Sequence, residues 1–175
     1  MTWEAFHHRG DVLNTVIAEL ATQRGATLPL ELPGVRATFR DELDLLAALH
    51  LRWHTRLSGR IERELAAQPL DLEQAVIAAW RATDASLPGV RAVLDHYTEQ
   101  PLDAEMARAL GRAAAKQRHL LAVMAGLVST LEVDAQSARL GVRIEDAART
   151  GRPRPPVQPK PSLRFLDRLK AALAA

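Results

Sequence analysis

The sequence predicts an all-α protein, and three observations lead there. Alanine, leucine and arginine dominate the chain, while aromatic residues make up only 4% of it, a balance that favours helices over pleated surfaces. Apolar residues recur at steps of three and four over long stretches. Prolines, glycines and capping aspartates punctuate those stretches where helices should begin and end. The expected architecture is a helical bundle of four to six helices over residues 1–148. A basic proline-rich linker over 149–161 and an amphipathic helix over 162–175 follow it. A chain of 175 residues with 47% apolar content buries one core comfortably and leaves little room for a second full domain.

Taken in order, the first helix is expected over about residues 3–23, with Thr2 as N-cap and an apolar face of Phe6, Val12, Leu13, Val16, Ile17 and Leu20. A single long helix follows over about 35–67, because Phe39, Leu43, Leu46, His50, Trp53, Leu57, Ile61 and Leu65 form one stripe. Asp71 caps a third helix bearing Leu72, Val76, Ile77 and Trp80. A short helical segment runs through Leu94 and Tyr97. A fourth long helix begins near Asp103, with Met106, Leu110, Ala113, Gln117, Leu120, Met124, Leu127 and Leu131 as a coiled-coil-like seam. Gln117 stands in that seam as a polar position that fixes register at a cost in stability. A weaker helix over about 133–150 completes the body.

The six residues LPGVRA occur twice, at 32–37 and 87–92. Each copy follows a helix containing VIA and precedes another helical segment, so the unit reads as a diverged duplication, and two such hairpins pack naturally as a four-helix bundle. Physically the motif starts a helix: proline lacks the amide hydrogen that would be unpaired there, and glycine makes the turn. One glycine does not make a phosphate-binding loop.

With no cysteine in the chain, disulfides, thiolate metal sites and cysteine nucleophiles are excluded. No secretory leader is evident, and the longest apolar run, LLAVMAGLV at 120–128, is less than half of the roughly 20 residues a membrane-spanning helix needs. The expected location is therefore the cytoplasm. The net charge of +2 conceals an asymmetry. From Arg149 onward there are seven bases and one acid, so taking that +6 away leaves the body near −4.

The tail carries the clearest functional suggestion. Five of the ten prolines fall within RTGRPRPPVQPKP, which favours an extended, solvated linker. After Ser162, a good N-cap, Leu163, Phe165, Leu166, Leu169 and Leu173 form one apolar side. Such a helix can fold back on its own bundle or dock on a protein partner in helix-in-groove fashion. A homodimer is compatible with either. Lying on a membrane surface is also open to it; spanning one is not. The tail resembles the encapsulation peptides that microcompartment cargo proteins carry on flexible linkers, and GRPRP resembles part of an AT-hook. The single imperfect copy leaves nucleic acid outside the expected partners.

In the body, the histidines are the feature that hints at chemistry. His50 and His54 are four residues apart on one helix face, the spacing of a metal-ligand pair, with Glu42 upstream and His119 on another helix. No cofactor is required by the sequence, and a divalent transition metal at His50, His54 and Glu42 is the candidate the residue types allow. The competing reading makes His50 a core histidine beside Trp53. No Glu-x-x-His pair of the di-iron bundle type exists, and no Walker, dinucleotide or nucleophile signature is present. His7, His8 and His96 fit solvated positions. The reading therefore leans away from an enzyme and toward a helical interaction or scaffold protein, with a metal- or small-ligand-binding bundle as the alternative. The stretch FRDELDLLAALHLRWHTRLSGRIERELAAQP and the scarcity of lysine resemble small uncharacterised all-helical proteins of GC-rich actinobacteria. That resemblance implies a helical fold and no activity.

Overall fold

A computed structural model describes residues 3–23, 25–129 and 135–150. Seven α-helices and no strand stand among these residues: α1 Trp3–Thr22, α2 Val35–Thr38, α3 Glu42–Ala66, α4 Leu72–Ser86, α5 Val90–Glu99, α6 Ala104–Met124 and α7 Ala135–Thr150. The fold is all-α, as the composition and periodicity predict. The linker and the tail helix, including Leu163, Phe165, Leu166, Leu169 and Leu173, lie outside the described residues.

The number is seven because the stripe read as one helix over 35–67 is broken at Phe39, whose backbone is extended (φ −110°, ψ 130°). Polar groups impose the break. Arg9 donates to the Thr38 carbonyl at the end of α2. Asp41 then caps α3 by accepting from the Asp44 amide at 2.7 Å, and Asp44 accepts from the Arg40 amide and from both terminal nitrogens of Arg9. Phe39 itself is buried in the core with the Arg9 guanidinium 4.4 Å above its ring. Asp71 and Asp103, each ending a QPLD sequence, cap α4 and α6 by accepting from the amides of Gln74 and Met106. Caps of this kind contribute about 1 kcal/mol each.

Both LPGVRA copies form the same turn. Gly34 (φ 83°, ψ −14°) and Gly89 (φ 79°, ψ −26°) occupy the left-handed region, and the amides of Val35 and Val90 return to the carbonyls of Leu32 and Leu87, both at 3.2 Å. This is a type II turn, with proline at its second position and glycine at its third. Val35 and Val90 enter the core immediately afterwards.

α3 is the axis of the body. Leu45, Leu46, Leu49, Trp53, Leu57 and Ile61 are all fully buried along one side of it. α4 packs against α3 after a short connection, and α6 and α7 form a second antiparallel pair joined to the first through α4 and α7. α5 contributes Val90, Val93, Leu94 and Tyr97 to the centre and touches α1, α3 and α6. The seam of α6 lies one residue from its expected course at the C-terminal end: Leu121 is fully buried while Leu120 is only half-buried. Gly141 explains how closely α6 and α7 approach, since a Cβ there would stand 2.3 Å from the Arg118 carbonyl oxygen and 2.5 Å from its Cα. No helix among the described residues is long and apolar enough to cross a membrane.

Candidate functional site

The polar groups of the interior converge where α3, α4, α5, α6 and α7 meet. Arg91 and Asp95 are four apart on α5, one turn, so their side chains pair directly. Arg149, in the last turn of α7, reaches the other oxygen of the same carboxylate at 2.6 Å. Each guanidinium also covers an indole: Arg91 lies 5.4 Å from the Trp53 ring and Arg149 5.3 Å from the Trp80 ring. The two indoles meet edge-to-face at 5.4 Å and 71°. Arg91, Trp53, Trp80, Arg149 and Asp95 thus close a ring of five side chains from four helices. Both indole N–H groups are buried without an acceptor, a cost of about 1–3 kcal/mol each, which the aromatic edge contact and the two cation–π contacts offset in part.

A second chain of polar contacts starts from the same arginine. Arg91 donates to Gln117 at 3.4 Å, Gln117 donates to Glu145, and Arg118 donates to the second oxygen of Glu145 at 3.2 Å. Gln117 is 1% exposed and Glu145 4%. A carboxylate so deeply placed is tolerable because both its oxygens are bonded and one partner is cationic. The register-setting role expected for Gln117 has a concrete form, since this one amide ties α5 to α6 and α6 to α7.

The electrostatics follow from the geometry. Burial pushes the Asp95 carboxyl up, but the hydrogen bonds from Arg91 and Arg149, together with their charges, outweigh it, and its pKa ends below the ordinary carboxylate value. Asp84 moves the other way, raised by burial despite the charges of Arg149 and Arg91. Two clefts flank the ring. One of about 330 Å³ is lined by Arg91, Asp95, Thr98, Arg118, Glu145 and Arg149; another of about 350 Å³ by Trp80, Arg81, Asp84, Arg91, Asp95 and Arg149. The ring and chain together form a clasp that joins α3, α4, α5, α6 and α7.

The metal candidates are dispersed. His50 stands on α3 one turn before Trp53 and half-buried; His54 follows one turn later. Glu42 is in the first turn of α3, about 12 Å before His50 along the axis at 1.5 Å per residue. His119 belongs to α6, its Nδ1 3.4 Å from the hydroxyl of Ser137 on α7. No group of three His, Asp or Glu side chains among the described residues is arranged to hold a metal ion. Sequence reasoning did not single out Arg91, Asp95, Glu145 or Arg149. The i, i+4 pairing of Arg91 with Asp95 was the available local signal, whereas Arg149 is 54 residues from its partner and carries none.

His50 has a titration of its own. Burial, then the charge of Arg91, then that of His54 lower its pKa from 6.5 to about 4. The folded protein therefore holds this imidazole neutral where the unfolded chain is protonated. Its contribution to stability is complete above pH 6.5 and is lost as the pH falls from there toward 4, by at most about 3 kcal/mol. Proton NMR of the His50 ring should show no titration near pH 6.5, and His50→Gln should flatten the loss of stability across that window; a His50 midpoint at the unperturbed value contradicts this assignment.

Compared with protein-family models, with curated proteins and with solved structures, the chain finds no match in any of the three.

Proposed function

We propose that the chain is a non-enzymatic interaction protein of the cytoplasm, in which a rigid helical body carries a tail helix that docks through Leu163, Phe165, Leu166, Leu169 and Leu173. The observation that carries this reading is the anchoring of the tail's root. Arg149 is bound to Asp95 and stacked on Trp80, while Arg81 of α4 donates to the Ala147 and Ala148 carbonyls at 2.8 and 3.0 Å, capping the end of α7. These contacts fix the last turn of α7 to α4 and α5. The separation of charge supports the same division of labour, with a net-acidic body and a net-basic tail.

The test is removal of residues 151–175, which leaves α7 and its contacts whole. Docking on the chain's own body requires the truncated protein to melt lower than the full chain. Docking on a partner requires the full chain, but not the truncated one, to migrate in cell extract as a larger complex. If the melting temperature and the size in extract are both unchanged, the tail has no docking role and the reading is wrong.

A further inference from the structure

We propose that the outer face of α3, with the groove it forms against α1, is a docking surface for an acidic amphipathic helix of a partner protein. Arg52, Arg56, Arg60 and Arg63 follow one another at steps of four, four and three, a row of about 16 Å along the helix at 1.5 Å per residue. None of the four guanidiniums has an ion pair or hydrogen bond among the described residues, whereas Arg9, Arg36, Arg91, Arg118, Arg143 and Arg149 each hold a carboxylate. Arg60 even keeps its Nε buried without an acceptor. Glu62 and Glu64, exposed on the last turns of the same helix, do not pair with the row. Four uncompensated cations on one helix of a body that is net acidic are a local concentration of positive charge.

The surface beside the row is apolar. A groove of about 280 Å³ between α1 and α3 is lined by Gly10, Leu13, Ala48, Leu51 and Arg52, with Leu51 66% exposed. It shares Arg52 and Thr55 with a second depression of about 280 Å³, whose remaining walls are Arg56, Gly59 and Arg63. No side chain at Gly59 fills that depression, and the space around its Cα is open. The two adjoin at Arg52 and Thr55, with Leu13, Ala48 and Leu51 on one side of that junction and Arg56 and Arg63 on the other.

The occupant must match both sides. A polyphosphate backbone would satisfy the arginines and leave Leu51 and its groove unused. The chain's own tail helix would bring Arg164, Arg168 and Lys170 against the row, like charge upon like charge. An amphipathic helix with leucine-type residues on one side and carboxylates flanking them fills the groove and pairs the guanidiniums in fork geometry. This extends the interaction reading to the body and does not depend on the tail.

Fluorescence anisotropy on the full chain decides it, with short helical peptides bearing leucine every three or four residues and either glutamate or lysine beside the leucines. The glutamate peptide is expected to bind, and to bind also when residues 151–175 are removed; the lysine peptide is not. The triple variant Arg52→Glu, Arg56→Glu, Arg63→Glu should weaken the glutamate peptide by at least about tenfold, and Leu51→Asp should do the same. These side chains are at the surface, and an unchanged melting temperature verifies that each variant folds. Absence of glutamate-peptide binding, or binding indifferent to both variants, overturns the proposal. It is equally overturned if a single-stranded oligonucleotide or a phosphatidylglycerol vesicle binds through the arginines while the peptide does not. A concentration-dependent dimer lost in the triple variant, with no peptide binding, would assign the face to a second copy instead.

Discussion

Gly89→Ala is expected to destabilise the protein by about 3–5 kcal/mol, and Gly34→Ala, the same change in the same motif, by about 1–2 kcal/mol. The two glycines share a turn type and a positive φ, of 79° and 83°, so each alanine meets the same left-handed penalty. They differ in what surrounds them. A Cβ on Gly89 would stand 2.1 Å from the Leu20 carbonyl oxygen and 2.8 Å from its carbonyl carbon, whereas on Gly34 it would meet only the Val12 Cγ2 at an ordinary 3.4 Å. The Leu20 backbone belongs to the last turns of α1 and cannot swing away as a side-chain tip can. Urea unfolding of both variants measures the difference, and equal losses would mean that α1 and the second turn do not approach as closely as the structure has them.

Glu145→Ala is expected to cost about 3 kcal/mol. It removes the acceptor of the Gln117 amide and the counter-charge of Arg118, and breaking a buried charged pair from one side costs about 3–5 kcal/mol when the orphaned partner stays buried. Arg118 is partly exposed and recovers some hydration, which places the expectation at the lower end. Replacing Gln117 and Glu145 together by leucine should cost less than Glu145→Ala alone, because no buried acceptor or donor of that pair is then left unsatisfied. Thermal and urea unfolding report both. A loss below about 1 kcal/mol for the single variant would show that the Gln117–Glu145 contact does not hold α6 to α7.

What could be read in the chain divides along the range of the interactions. Helix positions were legible because their causes are local: Asp71 and Asp103 act three residues downstream, and the buried side of α3 repeats through Leu46, Trp53, Leu57 and Ile61. The break at Phe39 was not, although Asp41 and Asp44 sat in a capping arrangement, because the apolar stripe continues across it. What ends α2 there is Arg9, 29 residues away from Thr38. LPGVRA shows the limit most clearly. Its turn is identical in both copies, yet Arg36 stands in solvent beside Glu31 while Arg91 is buried on Trp53, and nothing within the six residues distinguishes the two. The clasp had the same difficulty, since Asp95 meets Arg149 and Gln117 meets Glu145 only after three helices have packed. The arginines of α3 were legible as a spacing, but that no carboxylate among the described residues answers them is a fact of the tertiary structure.

These observations bear on function through one point: the body is fastened internally up to Arg149, and the function proposed above assigns docking to Leu163, Phe165, Leu166, Leu169 and Leu173 in the segment beyond. The most direct measurement places a photo-crosslinking amino acid at position 169 of the full chain in living cells. The expected result is a discrete adduct, to another protein or to the chain's own body, that disappears when Leu163 and Leu166 are both changed to aspartate. No discrete adduct, or the same adduct in that double variant, would contradict docking through the tail.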